Sequence, residues 1–413
     1  MKKKILPSAV EGSLQAPPSK SVAQRAVAMA SLAKTGSEII RPGTSSDVWA
    51  AVNVCRALGA DIREQGRSLL IKGGVNVPKN LLHCGESGLA VRMFAGIAAT
   101  LNREMTLTGT GSLLKRPMHM VEQSLSTLGV SCTTNRGHLP LVVKGPIKGG
   151  HATIDASQSS QVLTGILIGA PLSDADTLLQ VKNLKSKAYV DLTLEIMHVF
   201  GVEVSQQNNQ HYHVRGTQQY RGCKFEVEGD WSAAAFLLVA GAIAGQIRVT
   251  GLNMASLQAD RKILEALSMA GADISWEDDS AGVRKKHLKA FGFDATGCPD
   301  LFPPLVVLAA NCRGTSRIRG TERLGIKESD RTQSLIDIFS RMGTQIRQEG
   351  NDLFVTGGVL RNATVDSHND HRIAMAAAVA ALNATGPVNI QGAGVVDKSY
   401  PEFFEDLQKI SKP

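Results

Sequence analysis

The 413-residue chain is longer than one hydrophobic core usually serves, so two domains are expected. With 43% hydrophobic and 20% charged residues it reads as globular, and with 40 glycines and only 4% aromatics small side chains must do much of the packing. The net charge of +8 comes from Lys and Arg dispersed along the chain, without a long basic block beyond "MKKK" and "RKKHLK" and without aromatic RNA-binding signatures, which favours small anionic ligands over nucleic acid.

The opening "MKKKILPSAVEG" is basic but lacks the apolar stretch of a signal peptide. No apolar run reaches the ~20 residues a bilayer demands, so no membrane partner is expected. Cys55, Cys84, Cys132, Cys223, Cys298 and Cys312 form no C-x-x-C pair and no zinc spacing with histidine. Free thiols, no bound metal and a cytoplasmic location follow as expectations.

Taken in order, six apolar, small-residue helices are predicted at "SKSVAQRAVAMASLA", "GESGLAVRMFAGIAA", "SSQVLTGILIGA", "GDWSAAAFLLVAGAIA", "PDLFPPLVVLAA" and "NDHRIAMAAAVAAL". Helices apolar on every face should be buried. Strand-like segments such as "MTLTG", "IRVTG", "SRIRG" and "VNIQG" follow them. A second series interleaves: "CRALGADI", "LSTLGVSC", "MHVFGVEV", "LSMAGADI" and "FSRMGTQI" each read as the end of an amphipathic helix, a Gly cap and a new strand. Their glycines, Gly59, Gly129, Gly201, Gly271 and Gly343, recur at intervals of 70, 72, 70 and 72 residues. Units of this size are too large for a short-repeat solenoid, so six of them fit two domains of three.

Every buried helix opens on polar residues. N-capping accounts for Ser87, Asp230 and part of the role of Asp370. It does not account for Gln161, nor for Lys20, Arg25 or Arg372, because cations are disfavoured at a helix N-terminus unless an anion is near. The loops "LLKRPM", "LKSKAY", "IKESDR" and "DKSYP" add Lys and Arg in register with the repeat. For one loop, solvated surface charge is the plain reading; for four in register, a basic cleft for several phosphates or carboxylates is the better one.

With "PPSKSVAQRA", "SSQ", "SKAYVD", "EGDWSAAAF", "IKESDR", "NDHRIAMA" and "DKSYPEFF" in this order and spacing, nearly the whole chain resembles the 5-enolpyruvylshikimate-3-phosphate synthases, members of the enolpyruvyl transferases. The resemblance implies an α/β fold of two similar domains, each of three βαβαββ repeats with buried parallel helices, an inside-out α/β barrel. One domain would be discontinuous, 1–18 plus 229–413, and the other continuous, 19–228. The implied reaction moves the enolpyruvyl group of phosphoenolpyruvate to the 5-hydroxyl of shikimate 3-phosphate by addition and elimination, releasing phosphate, with no metal or organic cofactor. Both small-molecule substrates are anions, and a monomer is expected.

By the same resemblance, Lys20, Ser21, Arg25, Ser159, Ser160, Gln161, Ser186, Tyr189, Asp300 and Lys327 would bind shikimate 3-phosphate. Lys20, Gly88, Arg116, Gln161, Arg331, Arg372 and Lys398 would bind phosphoenolpyruvate. Lys20, Asp300 and Glu328 are the candidate catalytic groups, Asp300 to accept the hydroxyl proton and Glu328, with Lys327, for proton transfer. Asp370 and His371 would support them. The chain departs from the family at Glu86, where Asn is usual, at Leu89, where a small hydroxyl is usual, at Met93 and at Trp231. Glu86 is expected to turn away from the ligand or to pair with a basic residue. The amino-sugar enolpyruvyl transferases share the fold but carry a reactive Cys in the second-repeat loop; here that loop, "GTGSLLKRPMHM", has none. A binding module without catalysis is the alternative of another class, and Lys20, Asp300 and Glu328 speak against it.

Overall fold

The computed structural model describes residues 1–74 and 77–412. The chain divides into two compact units, Pro18–Val227 on one side and Met1–Pro17 with Glu228–Pro413 on the other.

In the continuous unit six helices follow in order: α1 (Lys20–Leu32), α2 (Ser46–Ala57), α3 (Gly88–Ala98), α4 (His119–Ser126), α5 (Gln161–Gly169) and α6 (Lys187–Val199). The odd-numbered ones are the apolar set, and every residue of α3 is buried. Three four-stranded sheets accompany them. Each sheet pairs two strands in parallel and adds an antiparallel hairpin. In one, Gly150–Asp155 runs parallel to Thr177–Lys182, which pairs antiparallel with His211–Val214, and Val204–Gln207 forms the edge. Core residues lie at alternate positions, as a half-buried sheet demands: Leu179 and Val181 point inward while Leu178 and Gln180 point out.

The discontinuous unit repeats the plan with α7 (Trp231–Ala244), α8 (Ile263–Met269), α9 (Phe302–Ala310), α10 (Arg331–Arg341), α11 (His371–Ala381) and α12 (Phe403–Ile410). All 14 residues of α7 are buried. The N-terminal strands complete this unit: Lys2–Ile5 pairs antiparallel with Val388–Gln391, and residues 10–15 lie parallel to Gly245–Thr250. The repeated sheet, with its helices buried behind it, is the βαβαββ arrangement.

Small residues let the inner helices approach closely. A Cβ on Gly96 of α3 would stand 2.2 Å from the carbonyl carbon of Gly165 in α5, so this crossing admits no side chain there. The five periodic glycines all have positive φ, from 72° to 108°. In each case the Gly N–H reaches back three residues and the next N–H five, as at Gly201 to His198 and Val202 to Met197. These are Schellman caps, which explain why Gly recurs where each amphipathic helix turns into a strand.

One helix start differs from expectation. Asp300 does not open the buried helix: Pro299–Leu301 form a 3-10 turn and α9 begins at Phe302. Pro303 and Pro304 explain the shift, since proline lacks an N–H and fits only the first turn, where that N–H has no intrahelical partner.

Candidate active site

Three of the predicted caps are present. Ser87 accepts from the N–H of Ala90, Asp230 from Ala233 and Asp370 from Arg372. Ser160, Ser19 and Leu301 at the other three inner helices make no such bond. At α5, Ser159 instead accepts from the N–H of Gln161 at 3.2 Å.

In the continuous unit, side chains link the three helix starts to one another. Gln24 of α1 donates to the carbonyl of Lys20 and accepts from Ser87 at 2.9 Å, joining α1 to α3. Arg92 of α3 donates to Gln161 at 2.9 Å and to the carbonyls of Gly88 and Pro117, joining α3 to α5. Arg25 donates from Nε to Thr193 at 2.9 Å, from Nη1 to the carbonyl of Ser21, and from Nη2 to Thr164 and the carbonyl of Tyr189. The positive ends of α1, α3 and α5 therefore share one face. Burial pushes the Arg25 guanidinium down to about 10, with Tyr189 opposing, which still leaves it charged at neutral pH. Lys20 pairs with Asp47 at 2.8 Å. Ser186 is buried at the start of α6. Arg116 lies across Gly88 so closely that a Cβ there would stand 2.2 Å from its Nη1.

The discontinuous unit gathers a second cluster. Arg331 donates to Asp300 at 2.6 Å, to Glu328 at 2.7 Å and to Asp370 at 2.7 Å. Arg372 and Lys327 reach Asp300 at 3.2 and 3.6 Å. Three elements supply these groups: the 3-10 turn before α9, the loop into α10 and the start of α11. Burial alone would raise the Asp300 carboxyl, but Arg372, Lys327 and Arg331 outweigh it and hold it well below the usual carboxylate range. Burial lowers the Lys327 ammonium to about 8 although Asp300 pulls the other way. Arg331 is raised despite its burial, because three carboxylates surround it. Lys398 ends the 3-10 turn Ala393–Lys398 and is largely buried.

Among the described residues no group of three or more His, Cys, Asp or Glu is placed to hold a metal ion, and no helix is long and apolar enough to cross a membrane. Cys55, Cys132 and Cys312 are buried thiols pushed up to about 12, unsuited to nucleophilic work.

The model of the family described as EPSP synthase (3-phosphoshikimate 1-carboxyvinyltransferase) matches residues 6–407. The chain belongs to this family. The 3-phosphoshikimate 1-carboxyvinyltransferase of Methanocorpusculum labreanum is 40% identical over 416 residues, covering 99% of this chain and 98% of the relative. That of Clostridium novyi is 35% identical, covering 98% and 97%. A solved EPSP synthase from Acinetobacter baumannii superposes with a TM-score of 0.85 at 25% identity, covering 99% of this chain and 98% of the other. The two-domain α/β fold and enolpyruvyl transfer as the reaction class are thereby fixed.

Several groups around the family's site residues had no signature in the sequence. Asp47 reads locally as an acid in the first turn of α2, a common dipole complement, yet it pairs with Lys20. Thr164 and Thr193 read as helix interior and instead meet Arg25. Two departures from the family are also explained. The Trp231 indole is fully buried and donates to the carbonyl of Asn253, so it is a core residue. Glu86 turns to Ser112, accepting from its N–H at 3.2 Å and its hydroxyl at 3.0 Å.

Proposed function

We propose that this chain joins phosphoenolpyruvate to shikimate 3-phosphate with the residues gathered in these two clusters. The observation that carries the assignment is Asp300, a carboxylate surrounded by Arg331, Arg372 and Lys327. Three cations converging on one carboxylate suit a site that binds anionic ligands. Arg25, Ser21, Ser159, Ser160, Gln161, Ser186 and Tyr189 would hold shikimate 3-phosphate, and Lys20 would reach both substrates. Gly88, Arg116, Gln161, Arg331, Arg372 and Lys398 would hold phosphoenolpyruvate, with the Arg116 guanidinium lying in the space that the missing side chain of Gly88 leaves.

The chemistry requires a proton delivered to the methylene carbon of phosphoenolpyruvate while the 5-hydroxyl oxygen bonds to its neighbouring carbon and gives up its own proton. Elimination then removes phosphate and the added methylene proton. In the resting protein Asp300 is a weak base because three cations neutralise it. Phosphoenolpyruvate drawing Arg331 and Arg372 to itself would release Asp300 and raise its basicity, coupling anion binding to proton removal. Glu328 and Lys327 are assigned to the methylene proton. The test is phosphate release from phosphoenolpyruvate with shikimate 3-phosphate, compared with a UDP-amino sugar acceptor. Release with shikimate 3-phosphate, lost in Asp300→Asn, is expected; release only with the amino sugar would overturn the reading.

Lys327 predicts an alkaline limit. Its ammonium sits below the ordinary lysine value, so it loses its proton as pH rises through about 8 and a cation leaves Asp300. Substrate kcat/KM is expected to fall above that pH. Stability moves oppositely: between about 8 and the ordinary value near 10.5, the unfolded chain binds the proton that the fold does not, so this group's contribution to stability rises with pH. Lys327→Arg keeps its charge throughout and should flatten the alkaline limb. An unchanged limb in that variant would assign the titration to another group.

Glyphosate, which competes with phosphoenolpyruvate in sensitive relatives, is expected to inhibit weakly. Gly88 already lies against Arg116, and Leu89 stands where a small hydroxyl residue is usual. A bulky residue in the first turn of α3 would press Gly88 towards the ligand and penalise the longer molecule more. The quantity to measure is the glyphosate inhibition constant divided by the phosphoenolpyruvate KM, before and after Leu89→Thr. A ratio well below one that Leu89→Thr leaves unchanged would refute the expectation.

A further inference from the structure

Glu86 stands two residues before α3, and its carboxylate is engaged with the loop that leads to Arg116. Besides its two bonds to Ser112, it occupies the space beside Gly111, where a Cβ would stand 2.0 Å from its Oε1. Gly111 has φ +56°, so both its backbone and its missing side chain admit the carboxylate. Residues Gly111–Lys115 form a 3-10 turn, and Arg116 closes it by donating its N–H to the carbonyl of Leu113 at 3.1 Å.

The two segments are fastened at three successive points. The Thr110 N–H donates to the carbonyl of Gly85 at 2.8 Å. Ser112 donates twice to Glu86. At the far end Arg116 lies across Gly88. The middle fastening is the only one of these three made by an acidic side chain, and it sets where the turn begins relative to the start of α3. A carboxylate accepting an N–H and an O–H together binds more strongly than a neutral pair.

We propose that Glu86 is a positioning residue for phosphoenolpyruvate binding: its carboxylate fixes the register of residues 111–115 and so places the Arg116 guanidinium over Gly88. The inference rests on the reading that Arg116 binds phosphoenolpyruvate. Glu86 itself holds neither substrate and acts through the loop alone.

Glu86→Ala removes both acceptor bonds and is expected to raise the phosphoenolpyruvate KM about fivefold to tenfold, less than the full worth of one hydrogen bond to a charged group because the loss reaches Arg116 only through the loop. The kcat and the shikimate 3-phosphate KM should stay within about twofold, because Arg25 and the starts of α1 and α5 are untouched. Glu86→Gln keeps an oxygen that can accept from Ser112 and should restore most of the affinity. Arg116→Ala, assayed alongside, separates ligand binding by Arg116 from its positioning by Glu86. If Arg116→Ala leaves the phosphoenolpyruvate KM unchanged, the ligand assignment fails. If Arg116→Ala raises it and Glu86→Ala does not, the positioning role is overturned. A rise of both substrates' KM in Glu86→Ala with a lowered unfolding midpoint, or an equal loss in Glu86→Gln and Glu86→Ala, would also overturn it.

Discussion

Glu328→Gln is expected to fold and yet lose on the order of 10²-fold or more in kcat, the range for removing a general acid–base group. Its carboxylate accepts from Arg331 at 2.7 Å and sits in the loop leading into α10, where truncation opens no apolar cavity. Glutamine keeps the volume and an acceptor oxygen but cannot exchange a proton near neutral pH. Arg331 retains Asp300 and Asp370 in the variant, so the arginine stays in place and the unfolding midpoint should move little. A purely structural Glu328 would give the opposite signature, a lowered midpoint with kcat preserved. Turnover at saturating substrates and thermal unfolding on the same preparation decide between the two. Near-normal turnover in the folded variant would remove Glu328 from the chemistry.

The sequence revealed the repeat and the inner helices because both depend on local rules. A helix of Ala, Val, Ile and Leu on every face can only be buried, and a Gly at each Schellman position is demanded by positive φ whatever the tertiary context. Ser87, Asp230 and Asp370 were legible as caps for the same reason. The pairings around those caps were not. Arg25 and Thr193 are 168 residues apart and Lys20 and Asp47 are 27 apart, and no local pattern announces either contact. Asp300 is expected at the mouth of a buried helix but lies in the 3-10 turn before it, two residues ahead of the start that Pro303 and Pro304 set. Glu86 was visible only as a departure from the family; the partner that explains it, Ser112, lies on the next loop.

Arg331→Leu should do the most damage of any substitution in the discontinuous unit. One guanidinium, 1% exposed, pairs with three carboxylates at 2.6 to 2.7 Å. Leucine fills much of the volume but leaves Asp370, fully buried, without its charge partner. Breaking a buried pair from one side costs ~3–5 kcal/mol, mostly the uncompensated charge that remains. Lysine is no adequate replacement, since a point ammonium cannot meet three carboxylates in a planar fork. Activity should fall with stability, because Asp300, Glu328 and the start of α11 all lose the group that aligns them. A loss of more than about 10²-fold in kcat/KM is expected for a donor aimed at developing charge. The pH dependence separates charge from packing. In the intact protein Asp300 is held low, so its contribution to stability is complete above the ordinary carboxylate value and disappears as pH falls through its own. In Arg331→Leu burial at Asp300 meets one fewer opposing cation, and its carboxyl is expected to rise above its unfolded value. The variant then takes up protons on folding, so its stability deficit should narrow as pH is lowered from 8 to about 5. Unfolding midpoints of both proteins across that range provide the measurement. A deficit that stays constant with pH would mean that lost packing, not stranded charge, explains the damage.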